Sequence, residues 1–324
     1  MLDFRRGLGT LGVVLASIIA ITMCILSYLY QPVQITPGQY GICLPSPDAW
    51  GFNSFGSWFL NMVLIGILAG MLYAINKNYN FIRTPDPALI SIFLVMAASG
   101  PWFTQTINAS VLLCLANVMG MGIIFDSYDS RNATQDMFIL GVLVGMGAMV
   151  QYAFIPLAVV VLVWALLMKV LRIKEILAYM AGIGCPYWIA LGTGWLSFSD
   201  FHFPSLSPLF SYAQDPSEFV ILLVGISIAI LTGFGCTLIN AMKLYAGNAK
   251  INAMNLCVMV SGAMAVICIL LDFDNMHAYV ITLYMACAVQ LANICPLFNP
   301  RWPWTVTAVP MAVYIALFVL SLVF

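Results

Sequence analysis

Along this chain, long runs without a single charged residue alternate with short breaks rich in charge, Pro, Asn or Asp. A helix needs about 20 apolar residues to cross about 30 Å of hydrocarbon. Eleven runs near that length can be read, at about 8–30, 57–75, 88–103, 109–125, 137–150, 153–168, 176–196, 219–241, 251–271, 278–295 and 304–324. The pattern predicts an all-α fold, a polytopic transmembrane helical bundle of about eleven spans. It forms a single integral membrane domain over 1–324, with long outer loops at 31–56 and 197–218.

The stretch Met137–Met168 is 32 residues without a charge. As one helix it would be about 48 Å long at 1.5 Å per residue, too long for a simple crossing. The positive-inside rule decides. Split into a hairpin near Gln151–Tyr152, the chain places Arg5, Arg6, Lys77, Arg83, Arg131, Lys169, Arg172, Lys174, Lys243, Lys250 and Arg301 on one side. Read as one helix, the last six would change sides. The expectation is therefore an inner (plasma) membrane protein with a cytoplasmic N-terminus and an outside C-terminus. The N-terminal run is too long for a cleaved signal peptide and reads as a signal anchor.

Composition sharpens this. Charged residues are 7% and hydrophobic residues 63% of 324, and mean hydropathy is +1.02. Such a chain cannot present a water-soluble surface, which excludes soluble, disordered and disulfide-stapled classes. A net charge of -1 offers no basic excess for nucleic acid. Of the nine cysteines only Cys43 falls in an outer loop, and no C-x-x-C occurs. The others read as small apolar packing residues.

The predicted outer segments hold no cation, but they hold Asp48, Asp200, Asp215, Glu218, Asp272, Asp274, His202 and His277. Aromatics crowd the same segments, Trp50 and Trp58 around the first loop and Trp195, Phe198 and Phe201 around the second. An aromatic belt at the membrane boundary explains these rings. So does an outward cleft in which rings stack on a sugar while acids accept its hydroxyl protons. Trp50, Asn108, Asp200 and His202 are the candidate substrate-binding residues. With no cation on this side, a bound phosphate would call for a divalent metal. Asp272, Asp274 and His277 are the candidate ligands; the same segment also suits a helix N-cap by Asp274 or Asn275. Asp215-Pro216 reads as a cap as well.

No predicted span carries a charge near its middle, which counts against proton- or Na⁺-driven transport. The buried polar residues are amides and hydroxyls, including Asn61, Asn117, Gln151, Thr232, Asn255, Gln290 and Asn293, suited to interhelical hydrogen bonds. Gly66-x-x-x-Gly70 and Gly141-x-x-x-Gly145 would let helices approach closely. No P-loop, H-E-x-x-H or G-x-S-x-G occurs.

From Pro101 to Leu191 the order is a short helix ending AASGPWFTQTIN, a helix SVLLCLANVMGMGIIFDSYDS, a turn with Arg131, then DMFILGVLVGMGAMVQYAFIPLAVVVLVWALL, then MKVLRIKEI and a helix with Pro186. This order resembles the middle of the GT-C superfamily of membrane glycosyltransferases, whose members take sugars from polyprenyl-phosphate carriers on the outer leaflet. The resemblance implies a GT-C-like arrangement of the first seven helices and a catalytic acid on the first outer loop, where Asp48 is the acid present. Two departures stand out. The turn that often holds a metal-binding acid reads Gln105-Thr106-Ile107-Asn108 here, and the large outer domain of many members is missing. The same segment is also similar, more closely, to an uncharacterised Bacteroidota family of multi-pass inner-membrane proteins, which implies no activity.

Together these features point to cell-envelope glycan or lipid-linked assembly. The chain would be a divergent or an inactive polyprenyl-phosphate-sugar-dependent glycosyltransferase. The rival classes are a non-catalytic membrane subunit of an envelope complex, and a transporter or flippase. The expected partners are membrane lipids, a polyprenyl-phosphate-linked sugar and other envelope membrane proteins.

Overall fold

A computed structural model describes residues 2–31, 41–45, 50–82, 87–130, 132–201, 220–243, 248–298 and 303–323; the side chains of 2–10, 241–243, 274, 296–298 and 303–306 lie outside this description. All regular structure among the described residues is helical apart from one isolated bridge residue, Pro45. In order the helices are α1 (Leu2–Tyr30), α2 (Ser54–Tyr79), α3 (Pro87–Ala98), α4 (Pro101–Thr104), α5 (Ala109–Asp126), α6 (Thr134–Val150), α7 (Ile155–Leu167), α8 (Ile173–Gly192), α9 (Val220–Lys243), α10 (Ala249–Leu271), α11 (Met276–Phe298) and α12 (Pro303–Val323). Six of them are long and apolar enough to cross a membrane. The chain is a polytopic, all-helical membrane protein.

Local chemistry sets the ends of these helices. Asn53 caps α2 by accepting the Gly56 N–H at 3.0 Å, and Asn80 ends it in the left-handed region at φ 48°. The uncharged stretch after Asp136 breaks at Gln151, whose backbone is extended. A short 3₁₀ turn, Tyr152–Phe154, follows, and Pro156 opens α7. Pro156 has no N–H for a continuing helix and its ring would meet the carbonyl four residues back, so the break falls here. The chain then turns back: the Asp129 N–H, beyond the far end of α5, donates to the Met168 carbonyl at 3.0 Å. The hairpin expected from the placement of cations is what the structure contains.

Contacts between loops define two ends. At one, the Lys250 ammonium sits over the rings of Tyr79 and Tyr128 at 5.9 and 5.8 Å, the Tyr79 hydroxyl donates to Asp126 at 2.5 Å, and Lys174 donates to Asn132 at 2.9 Å. This is the basic end. At the other, the backbone of residues 42–44 bonds the last carbonyls of α6, and Gln31 reaches Ser321 near the end of α12 at 2.8 Å. Asp200 and Asp272 belong to this end, the acidic end.

The centre is α11. Every residue from Ala278 to Cys295 is buried, whereas α1 and α9 leave much of their apolar surface exposed, Leu11 and Leu231 among others. Polar groups on α11 are met by its neighbours. Asn240 of α9 donates to the Gln290 side-chain oxygen at 2.7 Å and Asn293 donates to Asn255 of α10 at 2.9 Å; Asn255 in turn donates to the Phe81 carbonyl at 3.1 Å. The Ile281 N–H donates to the Ser110 hydroxyl of α5 at 3.1 Å. One apolar core runs without interruption from Ala16 of α1 to Phe318 of α12.

The two expected glycine pairs behave differently. A Cβ on Gly141 would overlap the Tyr179 carbonyl oxygen, one on Gly145 would press on the Ile183 oxygen, and one on Gly182 would overlap the Phe138 oxygen. Here α6 and α8 touch backbone to backbone. Around Gly66 and Gly70 there is open space instead. Gly141→Ala is therefore expected to lower stability by about 1–3 kcal/mol through overpacking, and Gly66→Ala to change it by less than about 0.5 kcal/mol. Thermal melts of the two variants in detergent check this; equal melting points would refute the α6–α8 contact.

Candidate functional site

Helix α3 is only 12 residues, about 18 Å at 1.5 Å per residue, too short for the hydrocarbon on its own. Gly100 before Pro101 is held extended, so the helix stops, restarts for one turn as α4, and stops again before α5. Residues 99–108 are nearly all buried. Buried irregular backbone survives only where protein satisfies it, and side chains from α1 and α2 do so here. Ser57 accepts the Ile107 N–H at 2.9 Å, the Asn61 amide donates to the Phe103 carbonyl, and Thr104 meets the Ser27 hydroxyl at 3.2 Å. Gln105 donates back to the Ser27 carbonyl at 3.2 Å. Gln105 thus ties the break to α1.

Asn108 completes the break. Its side-chain oxygen caps α5 at the Val111 N–H (3.1 Å) and its amide nitrogen donates to the Trp102 carbonyl (3.0 Å). Both ends of this candidate substrate ligand are occupied by backbone. Its neighbour Trp102 stacks on His277 of α11, ring centres 6.1 Å apart and planes 23° apart. His277 follows the 3₁₀ turn Phe273–Asn275. Asp272, which precedes that turn, is buried and accepts from the Asn275 amide at 2.7 Å. The structure therefore brings Asn108, His277 and Asp272 to one corner of the acidic end. The side chain of Asp274 lies outside the described residues. Among the described residues no three His, Cys, Asp or Glu side chains gather closely enough to hold a metal ion.

A second group forms where the outer loops meet. The backbone of Ile42–Leu44 lies along the end of α6, and Gly41 approaches so closely that a Cβ would overlap the Met149 carbonyl oxygen. Met149, Ala190 and Leu196 pack there with Cys43, Leu44 and Tyr187. Asp200 closes a capping box with Ser197, accepting its N–H at 2.8 Å. Trp50 is half exposed, and its indole donates to the Pro45 carbonyl at 3.2 Å. Asp48 and His202 lie outside the described residues, as do Asp215 and Glu218.

An apolar opening lies beside the broken helix. α1 and α2 diverge over α3, leaving an apolar groove of about 390 Å³ walled by Ser17, Ala20, Cys24, Ile65, Gly66, Ala69 and Gly70 and floored by Ile90, Leu94 and Ala98. The Trp58 indole, donating to the Cys24 carbonyl at 3.2 Å, joins α1 to α2 at the groove's acidic end. Tyr28, Phe55 and Phe59 group with Trp58 there.

Sequence reasoning missed three features. Trp102 was one residue of an apolar run, although Gly100-Pro101 signals the break beside it. Asn240 read as the end of a span. Glu175, in the first turn of α8, is buried at the basic end despite its charge, and nothing in its spacing signals that. Comparison with protein-family models, with curated proteins and with solved structures gives no match.

Burial first, and the Asp200 carboxylate second, push the Cys43 thiol above its ordinary pKa. Removing the carboxylate charge favours the thiolate, so Asp200→Asn lowers that pKa. Iodoacetamide should then react faster with Cys43 at pH 8, and the rate–pH curve should move to lower pH. An unchanged curve would mean that residues 41–45 and 197–201 are not neighbours.

Proposed function

We infer that this chain acts in the inner membrane on a lipid-linked intermediate of envelope assembly and holds the lipid's prenyl or acyl chain in the groove between α1, α2 and α3. The observation that carries this is the groove itself. Its volume of about 390 Å³ lies within the roughly 300–1,000 Å³ of small-ligand sites. A flexible hydrocarbon chain suits an apolar groove of this size.

The acidic end supports the polar half of this proposal. Its rings and carbonyl or carboxylate acceptors suit the apolar faces and hydroxyls of a sugar. Asp48, on loop 31–56, is the general base that the resemblance to the GT-C superfamily offers, and a divalent metal would offset the phosphate charge if that resemblance extends to catalysis. The positive-inside rule places the basic end in the cytoplasm and the acidic end outside, with the helices making eleven crossings.

Because a Cβ added at Gly66 or Gly70 meets nothing within 4 Å, and the groove lies open beside both, leucine at both positions should fill the groove and leave the fold intact. Gly66→Leu with Gly70→Leu is expected to keep the melting point and the size-exclusion profile. Labelling by a diazirine-bearing prenyl or acyl lipid should fall several-fold. Full labelling of a folded double variant would overturn the proposal. For the catalytic form, Asp48→Asn should abolish the envelope-glycan change caused by the intact gene; unchanged glycans would rule that form out.

A further inference from the structure

Between α5, α7, α10 and α11, in the half of the bundle toward the acidic end, lies a second and much smaller cavity of about 20 Å³. Its wall is mostly aliphatic, but Asn117, Ser261, Tyr279 and Thr282 also face it. Asn117 is 3% exposed and its side-chain oxygen has no hydrogen-bond partner. The hydroxyl of Thr282, 4% exposed, points toward the Cys114 thiol, a weak acceptor, and meets no oxygen or nitrogen partner. Ser261 spends its proton on the Cys257 carbonyl at 3.0 Å and keeps lone pairs free to accept. Leaving an amide oxygen unbonded in a dry membrane interior is costly.

We propose that this cavity is a hydration site that holds one ordered water, bridging Asn117 of α5 to Thr282 of α11. Size and chemistry both select water. About 10–15 Å³ of water-accessible volume holds one molecule, and a buried water needs two to four polar partners. Two waters do not fit. No carboxylate lines the cavity to offset a cation in this low-dielectric setting. The water donates to the Asn117 oxygen and to the Ser261 hydroxyl, and accepts from the Thr282 hydroxyl. It supplies α11 with a bond to α5 that the two side chains do not make directly. The site is independent of the lipid groove, which lies on the other side of α3.

X-ray hydroxyl-radical footprinting of the full chain in nanodiscs tests this, because radicals form from bound water at the site. Cys268 and Tyr279 line the cavity and are 6% and 5% exposed; Cys287 and Tyr284, each 2% exposed, lie deeper on α11 and outside it. Cys268 and Tyr279 should be modified several-fold faster than Cys287 and Tyr284. Asn117→Leu should bring them down to the rate of those two. Thr282→Val serves the same purpose if the leucine variant does not fold. Equal rates for the two pairs in the unsubstituted protein would overturn the proposal, as would fast labelling that persists in a folded Asn117→Leu variant.

Discussion

The bundle depends on one constraint: its interior is cut off from bulk water, so a polar group placed there must find its partner in the protein or in a trapped water. The constraint acts hardest on α11, which has no face left for lipid over 18 consecutive residues, Ala278–Cys295. Asn240, Asn255 and Ser110 therefore come from three different helices to meet it. It acts again on residues 99–108, where the helix breaks and Ser57, Asn61 and Asn108 supply or receive the bonds that the backbone lost. These side chains fix the register of α1, α2, α5, α9 and α10 around the centre. Each bond is worth only about 1 kcal/mol, but an unmet partner would cost more, so alternative registers are disfavoured.

Small residues do two opposite things in this fold. Between α6 and α8 they remove side chains so that backbones touch. Between α1 and α2 they remove side chains and nothing arrives, so that a groove remains. Helices that have only lipid as an alternative partner associate through close packing, and the α6–α8 seam has it where the α1–α2 pair does not. The divergence of α1 and α2 is held by the buried α3 beneath them and by the Trp58 bond to Cys24 at one end. The structure thus maintains an opening next to the broken helix.

Much of the architecture was legible in the sequence. The apolar runs coincide with helices, and the break at Gln151 followed from asking where cations fall. Lys77, Lys174 and Lys250 then share one end because the turns that carry them do. Partnership was not legible. Gly66-x-x-x-Gly70 and Gly141-x-x-x-Gly145 have the same spacing, and spacing states only that an approach is possible. Asn108 looked available because it precedes a helix in a polar turn; its capping role was equally written there, and the Trp102 carbonyl that takes its amide is a tertiary fact. Asp272 and His277 are near neighbours in sequence, but the stacking of His277 on Trp102 joins segments about 175 residues apart in the chain.

The central claim is that the space between α1, α2 and α3 is a standing lipid-chain site. An electron cryo-microscopy map of the protein in nanodiscs of its own membrane lipids tests it most directly. The account predicts a continuous, elongated density running along Gly66 and Gly70 from the level of Tyr73 toward Trp58, with none between α6 and α8. A map in which α1 closes onto α2, or in which the groove between them holds no density while the bilayer around it is resolved, would contradict it.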